Sequence, residues 1–376
     1  MLANLLGIRL ILWLGKAIPT PAPYSVMRAL THVKIINEGE GNDGFQMTFT
    51  LGKDAVVDYG LVLGGALDPD TKVSIALLIG ASLEPLINGV IYHHQVVPSN
   101  EPGMSRLTVT GRDVSVLLDL EEKNDQYKNQ PDFVIVNRVL ANYATDGVLP
   151  PYLVTPTADV PLELFRVPRQ HETDLALLRR LAKSNGYVFY LEPVTLGVTS
   201  AYWGPENRAT LPQPALSVNL GSATNVTSLQ FAQDALAPVG SKGTFIEPIT
   251  KMSLPIPPLP SLKVPPLALQ PVSPRRKTLQ RSTARMNPAQ AGVSVLAASM
   301  NAPDAVTATG EVDTVRYGSV LRARRLVGVR GVGINYDGFY YVAKVVQEID
   351  VQQNNATQTF TLKREGTGTL TPVVRP

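Results

Sequence analysis

No cysteine occurs among the 376 residues, which excludes disulfide staples, a thiolate nucleophile and any Cys-ligated zinc or iron–sulfur centre. Histidine is nearly as scarce, at four: His32, His93, His94 and His171. His93 and His94 are neighbours on a predicted strand, so they point to opposite faces and cannot chelate one ion together. Charged residues make up only 17% and apolar ones 44%, a balance that excludes a disordered chain. Long hydrophobic runs are missing too. The opening MLANLLGIRLILWLG is too short to span a bilayer, is broken by Arg9 and is followed by no clear small-residue cleavage site, so Ile8 to Leu14 reads as a strand. GxSxG, HExxH and GxxxxGK[ST] are absent, and GVRGVG at 328–333 lies between predicted strands and opens no helix. The acidic EGEGND at 38–43 lacks the ligand spacing of an EF-hand loop. No catalytic residue, metal or cofactor is therefore expected.

What is present is mostly alternation. Phe45, Met47, Phe49 and Leu51 alternate with polar neighbours after a turn-rich 38–44, and KVSIALLI (72–79), INGVIYHHQVV (87–97) and MSRLTVTG (104–111) continue the series, as in a small barrel or sandwich. GRDVSVLLDLEE (111–122) and PDFVIVNRVLANYATDG (131–147) carry helical spacing. From 172 to 191 a helix runs into a strand: Leu175, Leu178 and Ala182 share one face with Leu177 and Leu181 beside them, while Arg179, Arg180 and Lys183 take the other. Thr173 caps its start, Asn185-Gly186 stop it, and YVFYL follows as a buried strand. Residues 213–238 return to strand and turn composition and are expected to rejoin the first barrel; strands resume from 310 to 364, and the last twelve residues read as a tail.

Between these β regions lies an unusual stretch. Residues 248–274 hold nine prolines in 27 positions, a density that forbids a packed sheet and favours an extended polyproline-like arm. Ile256, Leu259, Leu262, Val264, Leu267 and Leu269 sit between the prolines and would be poorly placed in water, so the arm is expected to lie on a neighbouring subunit with Arg275, Arg276 and Lys277 at the edge of the contact. Charge is divided as unevenly. Up to Gly240 there are 17 basic and 23 acidic residues, and beyond it 17 and 8, giving −6 and +9 within a total of +3. Such asymmetry suggests a polar assembly partner, with a basic linker and solvated faces as the plainer reading. Arg322, Arg324, Arg325 and Arg330 beside Phe339-Tyr340-Tyr341 come nearest to a nucleic-acid pattern, but alternate residues of a strand share a face, so part of that stripe faces a core. Nucleic acid is not expected as a specific ligand; Arg322, Arg324 and Arg325 are taken as candidate assembly contacts.

Seven stretches in order, PTPAP, GFQMTFTLGK, GRDVSVLLDLEE, DLALLRRLAKSNGYVFYLE, AYWGPE, QPALSVNLGSATNVTSLQF and GVGINYDGFYYVAKVV, resemble the phage late-control D family, the baseplate hub proteins of contractile phage tails and of phage-like extracellular contractile injection systems. The resemblance implies a mainly β fold with an α/β insertion: two tube-like β-barrel domains joined by smaller α/β elements, three copies forming a ring. The expected division is a first barrel at 1–118 completed by 200–240, the insertion at 119–199, the Pro-rich and basic arm at 241–309, and a second barrel core with tail at 310–376. It also implies a structural, non-enzymatic hub that joins a hexameric inner tube to a trimeric spike, with the spike a separate chain because no OB-fold or triple β-helix follows residue 364. Partners would be further copies of itself as a homotrimer, the inner tube protein, the spike and other baseplate proteins. Assembly would take place in the producing cell's cytoplasm. Two other readings stay open at this point: a hub with cell-wall hydrolase activity, and a secreted carbohydrate- or nucleic-acid-binding β-protein.

Overall fold

The computed structural model describes residues 8–371 apart from 40, 42, 53–59, 102, 158, 160, 162, 164–166, 247–251, 260–262 and 281–287. It is mainly β, and most of its strands belong to two units of six main strands, the first carrying in addition the two-residue strand Thr20–Pro21 paired with its first strand. The first contains β1 (Ile8–Gly15), β2 (Leu30–Glu38), β3 (Gly44–Thr50), β4 (Lys72–Ile79), β5 (Ser82–Val97) and β6 (Arg106–Asp113). They pair antiparallel in the order β1-β4-β5-β6-β3-β2. Period-two alternation sends Phe45, Met47 and Phe49 inward with Val33, Ile35, Ile75 and Val109, while Gln46 and Thr48 face out. The opening hydrophobic run is a strand as expected, in register with β4 from Ile8↔Ile79 to Gly15↔Lys72.

The insertion follows. A short 3₁₀ turn, Val114–Asp119, takes the place of the helix expected at 111–122, whose first residues still belong to β6. Then come β7 (Glu122–Gln126), α1 (Asp132–Ala141), β8 (Arg169–Thr173), α2 (Asp174–Asn185), β9 (Val188–Thr195) and β10 (Val198–Gly204). Helix α2 is built as its sequence predicts. The Thr173 hydroxyl accepts from the Ala176 N–H at 3.2 Å, and Gly186 at φ 72° ends the helix in the left-handed region that only glycine enters freely. Its buried Leu177, Leu178 and Leu181 pack with Ile135, Val136 and Leu140 of α1 and with Trp203 in a core separate from that of the first unit.

The second unit begins with β11 (Gln213–Ser217) and β12 (Val226–Gln233). An arm intervenes, made of β13 (Val239–Ile246), β14 (Ser253–Leu259), β15 (Ala268–Pro271), β16 (Arg276–Gln280) and α3 (Pro288–Met300), before β17 (Val306–Asp313), β18 (Leu326–Arg330), β19 (Gly338–Asp350), β20 (Asn355–Arg364) and a final β21 (Gly366–Thr369). Pairing in this unit runs β11-β18-β19-β20-β17-β12. Counted along the chain, each unit therefore has strand order 1-4-5-6-3-2. One ladder differs in sense: β11–β18 is parallel where β1–β4 is antiparallel. The units merge into one continuous sheet because β2 pairs with the second half of β19, Lys344↔Glu38 to Asp350↔His32.

Several expectations are corrected by these ladders. Residues 213–233 supply the first two strands of the second unit and do not complete the first, and β10 stays in the insertion against β9. The proline-rich stretch is extended but forms sheet: β14 pairs with β13, which also pairs with β16. Proline is tolerated because β14 is an edge strand and because Pro257 and Pro258 fall in the bulge between Ile256 and Leu259, outside the paired register. The expected tail contains β21, which pairs with β15 of the same chain. Helix α3, with four alanines and a proline at its first position, lies inside the region expected to be arm alone.

A cross-strand pair recurs in the two units. Phe45 on strand three sits opposite Gly111 on strand six, and Gly310 on strand three of the second unit sits opposite Phe360 on its strand six. Each ring occupies the space a side chain would need: a Cβ on Gly111 would lie 2.1 Å from the Phe45 ring, and one on Gly310 would lie 2.6 Å from Phe360. We expect Gly111→Ala and Gly310→Ala each to destabilise by about 1–3 kcal/mol, the usual range for overpacking. A lower denaturant midpoint at unchanged slope is the measurement.

Candidate functional site: the junction of the units

Three parts of the chain meet where β19 changes partners. Its first half, Gly338–Tyr341, pairs with β18, its second half with β2, and a bulge between Val342 and Lys344 marks the change. At that bulge the Ala343 carbonyl accepts from the Gly39 N–H at 2.7 Å and the Val342 carbonyl from the Arg324 N–H at 2.8 Å. The irregular stretch before β18 delivers three arginines to it. Arg324, buried and at φ 65°, donates to the Asp43 carboxylate and to the Glu38 carbonyl, and its guanidinium lies 4.4 Å from the ring centroid of Tyr190 in the insertion. Arg322 pairs with Glu84 and donates to the Pro85 carbonyl at 2.9 Å, and Arg325 pairs with Glu192. One four-residue stretch thus ties the second unit to both the first unit and the insertion. Expected as assembly contacts, these arginines are engaged within the chain, and Arg324 is too buried to reach a partner.

Asp43 and Asp113 form a buried acid pair beside Arg324. Asp43 also accepts from Asn37 Nδ2 at 3.0 Å and from the Glu38 N–H at 2.9 Å. Asp113 has a Ser115 hydroxyl on Oδ1, while its buried Oδ2 has no hydrogen-bond partner among the described residues. Burial first, and then the Asp43 charge, push Asp113 up to about 7 against the pull of Ser115, Arg324 and Arg112. A carboxyl raised above its unfolded value of 3.8 contributes stability that is complete below that value and lost as pH rises through about 7. Stability should therefore decline between about pH 4 and pH 7, and Asp113→Asn should flatten that slope with a gain on the order of 2 kcal/mol at the upper end. Denaturant titrations at several pH values give the slopes directly.

A second ionic group joins the end of the insertion to the arm and to the last strands. Arg208 is held by Glu365 at 2.9 Å, Glu206 at 3.0 Å and Asp304 at 3.3 Å; Lys263 of the arm reaches Asp304 at 2.8 Å, and Lys363 pairs with Glu206. Glu365 also accepts the backbone N–H groups of Leu267 and Ala268, so the arm is fastened to its own chain at this point. Burial alone would raise the Glu206 carboxyl, but Lys363, Lys263 and Arg208 outweigh it and hold the group at about 2. Tyr341, buried with its hydroxyl unpartnered among the described residues, lies 6.0 Å from the Arg208 guanidinium and 5.2 Å from Lys363. A cleft of about 720 Å³ opens over this group, bounded by the end of α2, Met300 and Lys344.

The arm residues expected at an interface are dispersed. Ile256 and Leu259 belong to β14, and Leu262 lies outside the described residues. Val264 is exposed beside the buried Lys263, and Arg275, Arg276 and Lys277 are exposed on and before β16. Sequence reading missed Asp43, Glu206, Arg208, Lys263, Asp304 and Glu365, because partners such as Asp43 and Arg324 are 281 positions apart and no local spacing links them. Every ion pair at the junction holds parts of the chain together, so the arrangement is suited to bearing load and setting geometry.

No protein-family model and no curated protein matches the chain. Solved structures do. The chain is similar to a tail protein from Neisseria meningitidis MC58, with a TM-score of 0.62 and 17% identity over 96% of this chain and 98% of that one. A 43 kDa tail protein of prophage MuSo2 from Shewanella oneidensis aligns with a TM-score of 0.60 and 17% identity over 95% and 98% of the two chains. An Escherichia coli component of the type VI secretion system, described as similar to the bacteriophage T4 tail proteins gp27 and gp5, aligns at 0.55 and 13% over 93% and 78%. The fold is that of phage tail proteins and of this secretion component.

Proposed function

We propose that the chain is a structural baseplate hub of the late-control D type, three copies of which form an adaptor ring between a hexameric inner tube and a trimeric spike. The observation that carries this reading is the strand order repeated within one chain: two units with the same order, joined where edge strand β2 of the first pairs with the second half of β19, would offer six similar β-units from three copies. Such a ring could match a sixfold tube on one side and a threefold spike on the other. Closure of each unit into a tube wall belongs to this proposal. The similarity in fold to tail proteins over nearly the full chain supports it. In this reading the ion pairs of the junction fix the angle between the two units, the parameter on which sixfold spacing depends. The hub would assemble in the cytoplasm and leave as part of a tail particle, in contact with tube, spike and other baseplate proteins.

Electron microscopy of particles containing the protein should find three copies per ring in contact with the tube. Six copies per ring, or a single copy, would overturn the proposal. Purified protein applied to peptidoglycan should produce no clearing; clearing would favour a hub that is also a cell-wall hydrolase.

A further inference from the structure

Two short sheets in this chain end in open strands of opposite charge. In the arm the order is β14-β13-β16, and its two edges differ. β14 carries Pro255, Pro257 and Pro258, which lack N–H groups and blunt that edge. β16 contains no proline, Arg276 to Leu279 are all exposed, and Leu279 keeps 61% of its surface in solvent. In the insertion β7 pairs only with β8 among the described residues, and Glu122, Asn124, Asp125 and Gln126 are exposed. Unpaired edges of this kind are templates for a strand from another chain.

We propose that the β16 edge of one copy pairs, strand against strand, with the β7 edge of a second copy. Both strands are five residues long. Arg275, Arg276 and Lys277 bring three positive charges to one, and Glu121, Glu122 and Asp125 three negative charges to the other. Lys123, the one cation in β7, is turned to Asp174 at 2.6 Å and does not oppose the match. Among the described residues no ion-pair partner occupies Arg276, Lys277, Glu122 or Asp125, so the charges are available to each other. The proposal gives a role to part of the division of −6 and +9 between the two parts of the chain, since an acidic edge of the first part meets a basic edge of the second. Two different patches meet, so the contact is heterologous, the type that closes into a ring and not into an isologous pair. Leu279 gains cover that it lacks in the single chain. This inference rests on the hub reading for its ring, and it names the surfaces that would join the copies.

The test uses the full chain in solution, with oligomeric state read by native mass spectrometry and light scattering. Arg276→Glu with Lys277→Glu, and separately Glu122→Lys with Asp125→Lys, should each weaken assembly about tenfold or more through like-charge contact, and all four together should restore it. The changed side chains are exposed, so melting curves should stay unaltered and report that each variant folds. Because the chain has no cysteine, Thr278→Cys combined with Asn124→Cys gives a second readout, and mild oxidation should cross-link copies. A wild-type chain that stays monomeric, reversals without effect, or a fourfold variant that fails to reassemble would each overturn the inference. If reversals leave the pure chain's ring intact but stop its entry into particles, the edge serves a different baseplate protein, and the second-copy pairing is wrong. Particles that retain a threefold hub despite the reversals would reject this contact while leaving the hub reading in place.

Discussion

Replacing Arg324 with methionine should cost about 3–5 kcal/mol, the range for breaking a buried ion pair from one side. Asp43 would keep its two hydrogen bonds from Asn37 and Glu38 but lose its counter-charge at a site where only 2% of its surface meets water. The Glu38 carbonyl would lose its guanidinium donor, and Tyr190 the cation against its ring. Methionine would also have to occupy φ 65°, unfavourable for any side chain without Arg324's partners. Adding Asp43→Asn should recover part of the loss by removing the stranded charge, a non-additivity that a double-mutant cycle measures. Arg324→Lys is expected to fall between, because an ammonium cannot reach two acceptors with a planar fork or stack on the ring. Urea unfolding of the parent, Arg324→Met, Asp43→Asn, their double variant and Arg324→Lys decides the matter, and a loss below about 1 kcal/mol for Arg324→Met would show that the junction does not depend on this side chain.

The second large effect is expected at Arg208. Arg208→Met leaves Glu206, Asp304 and Glu365 sharing only Lys263 and Lys363, and a loss of about 3–5 kcal/mol should follow. Acid sensitivity should change with it. A carboxyl held below its unfolded value of 4.5 contributes stability that is complete above that value and lost as pH falls through about 2. With Arg208 gone, Glu206 should protonate at higher pH, so acid unfolding should begin earlier. Glu365 would lose its Arg208 contact while holding the Leu267 and Ala268 N–H groups. Limited proteolysis should accordingly find faster cleavage around residues 263–280 in the variant than in the parent. An unchanged cleavage rate would mean that the β15–β21 ladder secures the arm by itself.

Local features were legible in the sequence and distant pairings were not. The inward set Phe45, Met47 and Phe49, the cap at Thr173 and the stop at Gly186 follow from neighbours within a few residues, and the structure contains them as expected. Leu229 and Phe231 alternate equally clearly, but alternation identifies a strand without identifying its partner. That ambiguity sent 213–233 to the first unit, when the hairpin they belong to is interrupted by the whole arm. Proline density excludes sheet only where position is ignored: β14 lies at an edge, and Pro257 and Pro258 fall in its bulge, outside the paired register. Arg322, Arg324 and Arg325 stood out as a basic cluster on a chain with few charges, yet their acceptors at Glu84, Asp43 and Glu192 come from other parts of the fold.

The site of the arm has a kinetic meaning. In the first unit the second and third strands are joined by residues 39–43, and in the second unit the corresponding strands are joined by 234–305. Closing the longer loop costs roughly 2 kcal/mol more in chain entropy, from the logarithmic dependence on length. The first unit should therefore nucleate early on its short hairpin, while the second waits for β17 to find β12. Until residues 344–350 have been synthesised, β2 stands as a bare edge on a half-built sheet. The nascent chain should be most prone to aggregate in that interval, and chaperone demand during translation should rise when the arm is lengthened and fall when it is shortened.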